Sequence, residues 1–300
     1  MVALVNQIRD WNRAHPDRQL GFNGFEIPTA AHAVGVVNAM PDSVAGAPLK
    51  AWFRREYACV LTDESARFGR EGRTADSTFW RRCGTVANAA VDSIVALRQR
   101  SGASRSAQLA WTETMARLVQ HHVTTGLRYL SRQDANAEHV LYAANALGAD
   151  AKLLVWGGDV EMGRLKLDSN TVQTGFALGT KLGARYRTIA FLAGTGTIRS
   201  RPATLTRGGQ PPGLATLTLA APTPEEYENI LNRVALPAFW LDLREVPSDA
   251  AGSWLRGPHP GRLITEPYQP LAPNLFDTQL EFPKYYDGLV FVKTVSATRG

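Results

Sequence analysis

Two carboxylates spaced two residues apart after an apolar run are the side chains in this sequence best placed for chemistry. Asp159 and Glu161 follow Trp156-Gly157-Gly158. Paired carboxylates at the end of a strand can act as acid and base or hold a hard cation. The alternative is that both side chains cap the next segment or face water. We take Asp159 and Glu161 as candidate catalytic residues, and we predict no metal centre and no cofactor.

The element that must position this pair is the run Ala151–Trp156, which has the length and apolar content of a buried strand. A second such run, Tyr186–Ala193, ends before Gly194-Thr195-Gly196-Thr197, and residues 171–182 between the two runs have helical spacing. Strand–helix–strand order with a crossover of this length predicts parallel strands covered by helices. We therefore expect the two runs to be neighbouring parallel strands.

The carboxyl ends of the predicted strands indicate where a ligand would bind. In open parallel sheets, ligands occupy the crevice beyond these ends. A predicted strand over residues 20–27 places Glu26 at such an end, and the run before Gly157 places Trp156 and Asp159 at another. We expect these side chains, together with Glu161, to converge at one edge of the sheet.

The remaining segments complete an α/β pattern. The stretch Thr223-Pro224-Glu225-Glu226 is typical of a helix start, because a Glu follows the capping Thr by three residues. Further strands are predicted over residues 214–219, 239–243 and 289–294.

The predicted architecture has three parts along the chain. Residues 50–148 have the apolar spacing of helices and form a lobe, whereas residues 1–49 and 149–300 form the α/β domain around it. The sequence therefore predicts an α/β fold, a mainly parallel sheet flanked by helices, with a large helical insertion or cap lobe.

Composition excludes several classes of function. The net charge of +6 is spread evenly, with 17 basic and 14 acidic residues in residues 1–150 and 16 and 13 in the rest, so the sequence has no basic domain for nucleic acid. No apolar run approaches the roughly 18 residues of a membrane span, and the first residues lack the apolar centre of a signal peptide. The sequence predicts a cytoplasmic protein.

Common catalytic motifs are absent from the sequence. It has no G-x-S-x-G, no G-x-x-x-x-G-K-[ST], no H-E-x-x-H and no C-x-x-C. Its two cysteines, Cys59 and Cys83, are predicted to be small packing residues. His121 and His122 point about 100° apart on a helix, so they do not share a metal, and His122 is predicted to be a core residue.

The same segments resemble the erythromycin esterase-like family, which comprises bacterial hydrolases of macrolide lactones and their relatives. Residues 8–14 and 22–26 are similar to the family's WMRxYN…FYGFD, and residues 132–141 to RDxxMAENVLWL. Residues 175–191 are similar to MGxxLxxxLGxxYxxIGF, and residues 286–291 to the closing FDxLLFI strand. The resemblance runs through almost the whole chain and covers the later two thirds of a family member.

The departures from the family pattern fall where its chemistry is expected. The resemblance implies a His and a Glu from an N-terminal third without a counterpart here, and a His-Asn-x-His loop where this chain has Gly158-Asp159-Val160-Glu161. It implies that imidazole activates a water that attacks the lactone carbonyl. Arg132 and Trp156 match the family pattern and Glu26 matches it conservatively. We take these three as candidate substrate-binding residues.

Three hypotheses remain open from the sequence. The chain is a carboxylic-ester or macrolide-lactone hydrolase by descent, linked to the response to antibiotics and catalytically impaired, with Asp159 or Glu161 as base and Arg132 steadying charge. Alternatively, it is a non-catalytic small-molecule-binding or scaffold protein, or a fragment of a complete enzyme. As partners we expect a macrolide-like or other ester ligand, no nucleic acid, no membrane, and a partner chain that covers the truncated sheet edge.

Overall fold

The structure is a computed structural model with two compact units, Met1–Ala151 and Lys152–Gly300. It describes residues 2–22, 24–25, 35, 37–39, 46–56, 58, 77–126, 132–147, 150, 152–166, 172–202, 213–262, 264, 268 and 277–298. The predicted division into residues 1–49, 50–148 and 149–300 stays a prediction.

All regular secondary structure described in the first unit is helical. Helix α3 (Ser77–Gln99) packs along α4 (Ala103–Gly126), and α4 packs against α5 (Arg132–Leu147). None of the described helices combines the length and the apolar content needed to cross a membrane. The helices of this unit are α1 (Val2–Ala14), α2 (Ala47–Glu56), α3 (Ser77–Gln99), α4 (Ala103–Gly126) and α5 (Arg132–Leu147).

The packing of these helices buries both apolar and charged side chains. Cys83 of α3 is fully buried, as predicted, whereas Cys59 and the side chain of His122 lie outside the described residues. Glu113 of α4 is buried, and its carboxylate lies 3.0 Å from both Arg98 and Arg117. Burial raises the pKa of Glu113, but hydrogen bonds from Tyr142 and from the two guanidinium groups outweigh burial and lower it.

The second unit alternates helices and strands, which confirms the α/β class with flanking helices. Its helices are α6 (Asp159–Met162), α7 (Thr174–Leu182), α8 (Tyr227–Leu231), α9 (Ala250–Arg256) and α10 (Phe282–Tyr285). Its strands are β1 (Ile189–Ser200), β2 (Ala215–Thr218), β3 (Ala238–Asp242), β4 (His259–Arg262), β5 (Asp277–Leu280) and β6 (Gly288–Val295).

The direction of the strands differs from the prediction of a mainly parallel sheet. The four-stranded sheet has the order β2-β1-β6-β3, and only β1 and β6 are parallel among these described neighbours. β1 pairs with β2, and β3 with β6, in antiparallel fashion. Strands of either direction show the same alternation of side chains, so the apolar runs did not contain this information.

The predicted strand over residues 151–156 is wrong for the residues that are described. Residues 152–158 form neither helix nor strand, and the side chain of Leu154 is 90% exposed. The edge of β1 that such a strand would pair with is occupied by side chains. Asp159 accepts a hydrogen bond from the N–H of Phe191, and the Arg262 guanidinium donates to the carbonyls of Ala193 and Gly194.

The two faces of the sheet differ in burial. Residues of β1 and β6 that point to one face, Leu192 and Phe291 among them, join a core formed with helices α8, α9 and α10. On the other face the register aligns Phe191 with Val290 and Val290 with Trp240, and Phe191 is 63% exposed. The sheet thus has one packed face and one apolar face open to solvent.

This asymmetry predicts a matched pair of mutations on neighbouring strands. Phe291→Ala removes a fully buried ring and should lower the free energy of unfolding by about 3–5 kcal/mol. Phe191→Ala, on the open face, should change it by about 1 kcal/mol or less. Urea unfolding followed by tryptophan fluorescence measures both. Equal losses for the two variants would contradict the assignment of the buried face.

Candidate functional site

The segment that holds the predicted acidic pair is a tight loop followed by the four-residue helix α6. Gly158 is the N-cap of this helix in extended conformation, and α6 ends at Gly163. The Met162 side chain folds back over Gly157, where an added Cβ would lie 3.1 Å from Met162 atoms. Gly157 therefore allows the Met162 side chain to pack against the backbone just before Asp159.

Asp159 is the carboxylate that this loop places against the sheet. Its Oδ1 accepts a hydrogen bond of 3.2 Å from the backbone N–H of Phe191, and its carbonyl accepts one of 3.1 Å from the Tyr286 hydroxyl. Burial raises the pKa of Asp159 from 3.8 to about 6, and the Phe191 N–H opposes this rise only in part. Asp159 is thus a carboxyl group that exchanges its proton near neutral pH.

A second carboxylate, Asp287, fixes the far end of the same loop. Its Oδ2 accepts hydrogen bonds from Arg164 at 2.6 Å and from the Thr188 N–H at 2.9 Å. Its Oδ1 accepts one from Arg187 at 3.0 Å. Arg164 also donates to the carbonyl of Tyr186. The segment after α6 is therefore bound to the residues that open β1 and β6.

Buried hydroxyl groups complete the attachment of the loop. The Met162 carbonyl accepts hydrogen bonds from the hydroxyls of Tyr186 and Thr188, the latter at 2.8 Å. Burial raises the pKa of Tyr186, and it also raises the pKa of Tyr286, to which the Asp159 charge adds. Both phenols are therefore protonated hydrogen-bond donors at neutral pH.

The structure places the predicted site residues unevenly. Asp159 and Glu161 lie on α6, and the indole of Trp156 is 75% exposed just before it. Glu26 lies outside the described residues, and of Arg132 only the backbone, which opens α5, is described. Both belong to the first unit. The expected convergence of Glu26 with Trp156, Asp159 and Glu161, and the substrate-binding role of Arg132, therefore stay predictions.

The position of Asp159 along the sheet differs from the expected one. It contacts the third residue of β1, near the amino-terminal end of the parallel pair. Gly194-Thr195-Gly196-Thr197, expected to follow a strand, lies inside β1, which continues to Ser200. The end of an apolar run was therefore not the end of the strand, because the polar Thr197–Ser200 pair with β2.

The second unit has no imidazole available near Asp159. Residues 152–300 contain one histidine, His259, whose ring stacks on Trp254 at 4.4 Å and whose Nε2 lies 2.9 Å from the Trp254 carbonyl. In the first unit, burial lowers the pKa of His121, and it lowers that of His139 to about 4. Among the described residues no three His, Cys, Asp or Glu side chains are arranged to hold a metal ion.

The sequence reasoning missed Asp287, Arg164 and Tyr286. Tyr286 and Asp287 lie within the segment that resembles the family's closing strand, so a signal for them was present. Their role was not visible, because Asp287 meets Arg164 across 123 positions of sequence. Only the fold brings these two residues together.

Solved structures with similar folds define the class of protein. A Bacillus cereus protein has a TM-score of 0.72 at 18% identity, over 99% of this chain and 72% of its own. A succinoglycan biosynthesis protein has a TM-score of 0.72 at 15% identity, over 98% of this chain and 70% of its own. A histidine-to-asparagine variant of the erythromycin esterase EreC, in its open conformation, has a TM-score of 0.57 at 14% identity, over 97% of this chain and 72% of its own. The chain thus has the fold of erythromycin esterase-like proteins.

Sequence comparison gives the family directly. The erythromycin esterase family matches residues 1–295, and the chain belongs to this family. The resemblance inferred from the sequence motifs is confirmed. No curated protein matches the sequence.

The raised pKa of Asp159 predicts a pH-dependent gain in stability for Asp159→Asn. Between pH 3.8 and about 6, the Asp159 carboxyl is protonated in the folded state and ionised in the unfolded state. The cost of burying the ionised carboxylate therefore does not lower the free energy of unfolding at low pH, and it lowers it in full above the folded-state pKa. Asparagine keeps the acceptor oxygen but cannot ionise. The variant should raise the free energy of unfolding at pH 8 by roughly 2–3 kcal/mol, and by little at pH 4.

Urea unfolding at the two pH values measures this difference. Glu245→Gln is the control, because Glu245 is exposed and its substitution should change neither value by more than about 0.5 kcal/mol. A loss of stability at pH 8 in Asp159→Asn would show that the ionised carboxylate is a favourable part of the fold.

Proposed function

We propose that this chain binds macrolide-like lactones or other carboxylic esters and hydrolyses them poorly or not at all. Family membership supports the ligand class. The loop Gly158-Asp159-Val160-Glu161 supports the loss of hydrolytic activity, because it contains no histidine. The observation on which the proposal rests is Asp159, a desolvated carboxylate hydrogen-bonded to Phe191, in the loop where the resemblance implies histidines. The protein then takes part in the response to macrolide antibiotics in the cytoplasm by binding them.

The chemistry of the loop explains why turnover should be low. A positioned general base contributes about 10²–10⁴ in rate. The carboxyl of Asp159 has a pKa of about 6, close to that of imidazole, yet one of its oxygens accepts the Phe191 N–H. An imidazole presents a lone pair to water while its other nitrogen is held by a partner. Asp159 is therefore a weak substitute, and any remaining activity should depend on it.

The direct test is ring opening of a 14-membered macrolide by the purified chain, followed by mass spectrometry. We expect no turnover above that of buffer for the parent, for Asp159→Asn and for Glu161→Gln, with Glu245→Gln as the matched control. Robust turnover that Asp159→Asn abolishes would overturn the proposed impairment and make Asp159 a catalytic residue. Turnover unaffected by both substitutions would also overturn it, and would place the reaction elsewhere.

Binding is measured separately from turnover. Trp156 is 75% exposed beside the loop, so a ligand there should change the tryptophan fluorescence of the parent but not that of Trp156→Phe. The absence of any fluorescence change in the parent at saturating macrolide, together with the absence of turnover, would contradict the proposed ligand class.

We further propose that another polypeptide covers the open face of the sheet. On this face Phe191 is 63% exposed and Trp240 50%, and isolated proteins rarely leave large apolar side chains of one sheet face uncovered. Without its partner, the purified chain should self-associate with rising concentration in light scattering, and Phe191→Lys should reduce this. A monomer at every concentration would contradict the proposal.

A further inference from the structure

The second unit has an open groove on its surface. Its volume is about 510 Å³, within the range of known ligand pockets. It lies between the segment after α6, helix α7 and helix α10. Asp159 is not part of its lining, which consists of Arg164, Lys166, Phe176, Gly179, Thr180, Lys284 and Tyr285.

The charges that line the groove favour an anion. Three of its lining side chains are cationic and none is acidic. Arg164 is paired with Asp287 at 2.6 Å, and Lys284 lies 3.2 Å from Glu281 in an exposed pair. Acidic partners outside the lining therefore neutralise the charges of Arg164 and Lys284. The exposed Lys166 contributes a further positive charge to the groove. The net field suits a ligand with one or two negative charges.

The walls of the groove favour a flat apolar body attached to that anion. Phe176 and Tyr285 are half-buried aromatic side chains, and the Lys284 ammonium lies 5.5 Å from the centre of the Tyr285 ring. Gly179 lies against the Arg164 side chain, because its missing Cβ would lie 3.4 Å from the Cδ of Arg164. An aryl group can pack against these aromatic walls with its anion toward the cations.

We propose that this groove binds a small aryl anion, such as an aryl phosphate or carboxylate. The proposal is independent of the ester-binding function, because it concerns a separate set of side chains. Both parts of the ligand matter. The anion selects the groove by charge, and the aryl group gives affinity through burial against Phe176 and Tyr285.

Calorimetric titration with three probes tests the ligand class. Phenyl phosphate should bind at least about tenfold more tightly than inorganic phosphate, a difference of the size expected for burying one small apolar group. Benzylamine, which has a similar ring and the opposite charge, should not bind. Equal binding of phenyl phosphate and inorganic phosphate, or binding of benzylamine, would overturn the proposal, as would no binding of phenyl phosphate.

Variants locate the binding in the groove. Lys166→Ala and Lys284→Ala should each weaken phenyl phosphate binding about two- to fivefold, as expected for a partly exposed charge. Phe176→Leu should weaken phenyl phosphate binding but leave inorganic phosphate binding unchanged, because it removes one aromatic wall of the groove. Lys181→Ala, on the same helix outside the lining, is the control and should leave binding unchanged. Binding that survives all three groove substitutions would overturn the proposal.

Discussion

The arrangement of the second unit depends on the carboxylate of Asp287. Its side chain holds Arg164, Arg187 and the N–H of Thr188. Its backbone N–H donates to the Thr188 carbonyl, and its carbonyl accepts the N–H of Leu243. One mostly buried residue thus joins the start of β6 to the start of β1, to the end of β3 and to the segment after α6. The contacts with Arg164 and Arg187 are charge-assisted, and together with the backbone bonds they favour the observed register of the parallel pair.

The candidate site follows from this attachment. Arg164 is bound to Asp287 after α6, and the Asp159 carboxylate at the start of α6 accepts the Phe191 N–H, so Asp159 lies against the edge of β1. Burial of this carboxyl is the consequence, and its raised pKa is the electrostatic cost. The chain thereby keeps the family fold with a partly buried carboxylate beside β1.

The sequence could predict features that depend on neighbouring residues, and it could not predict features that depend on contacts between distant residues. The strand predicted over 289–294 is β6, and Glu226 accepts the Thr223 N–H at 2.8 Å. The helix predicted to start at Thr223 begins three residues later, because residues 224–226 form a turn and Glu226 is the N-cap of α8. These features depend on residues a few positions apart. The failure over 151–156 has a different origin, because Asp159 and Arg262 occupy the edge of β1 that this segment needed. Arg262 lies about seventy positions from that edge, so no local pattern indicated it.

The measurement that tests this account most directly is the titration of the Asp159 carboxyl itself. Carbon-13 NMR of the protein labelled at aspartate carboxyls, with Asp159→Asn to assign the signal, follows its chemical shift with pH. The account predicts a midpoint at about 6. A midpoint near the ordinary value of 3.8 would show that the carboxylate is solvated, and would contradict the claim that the loop buries it against β1.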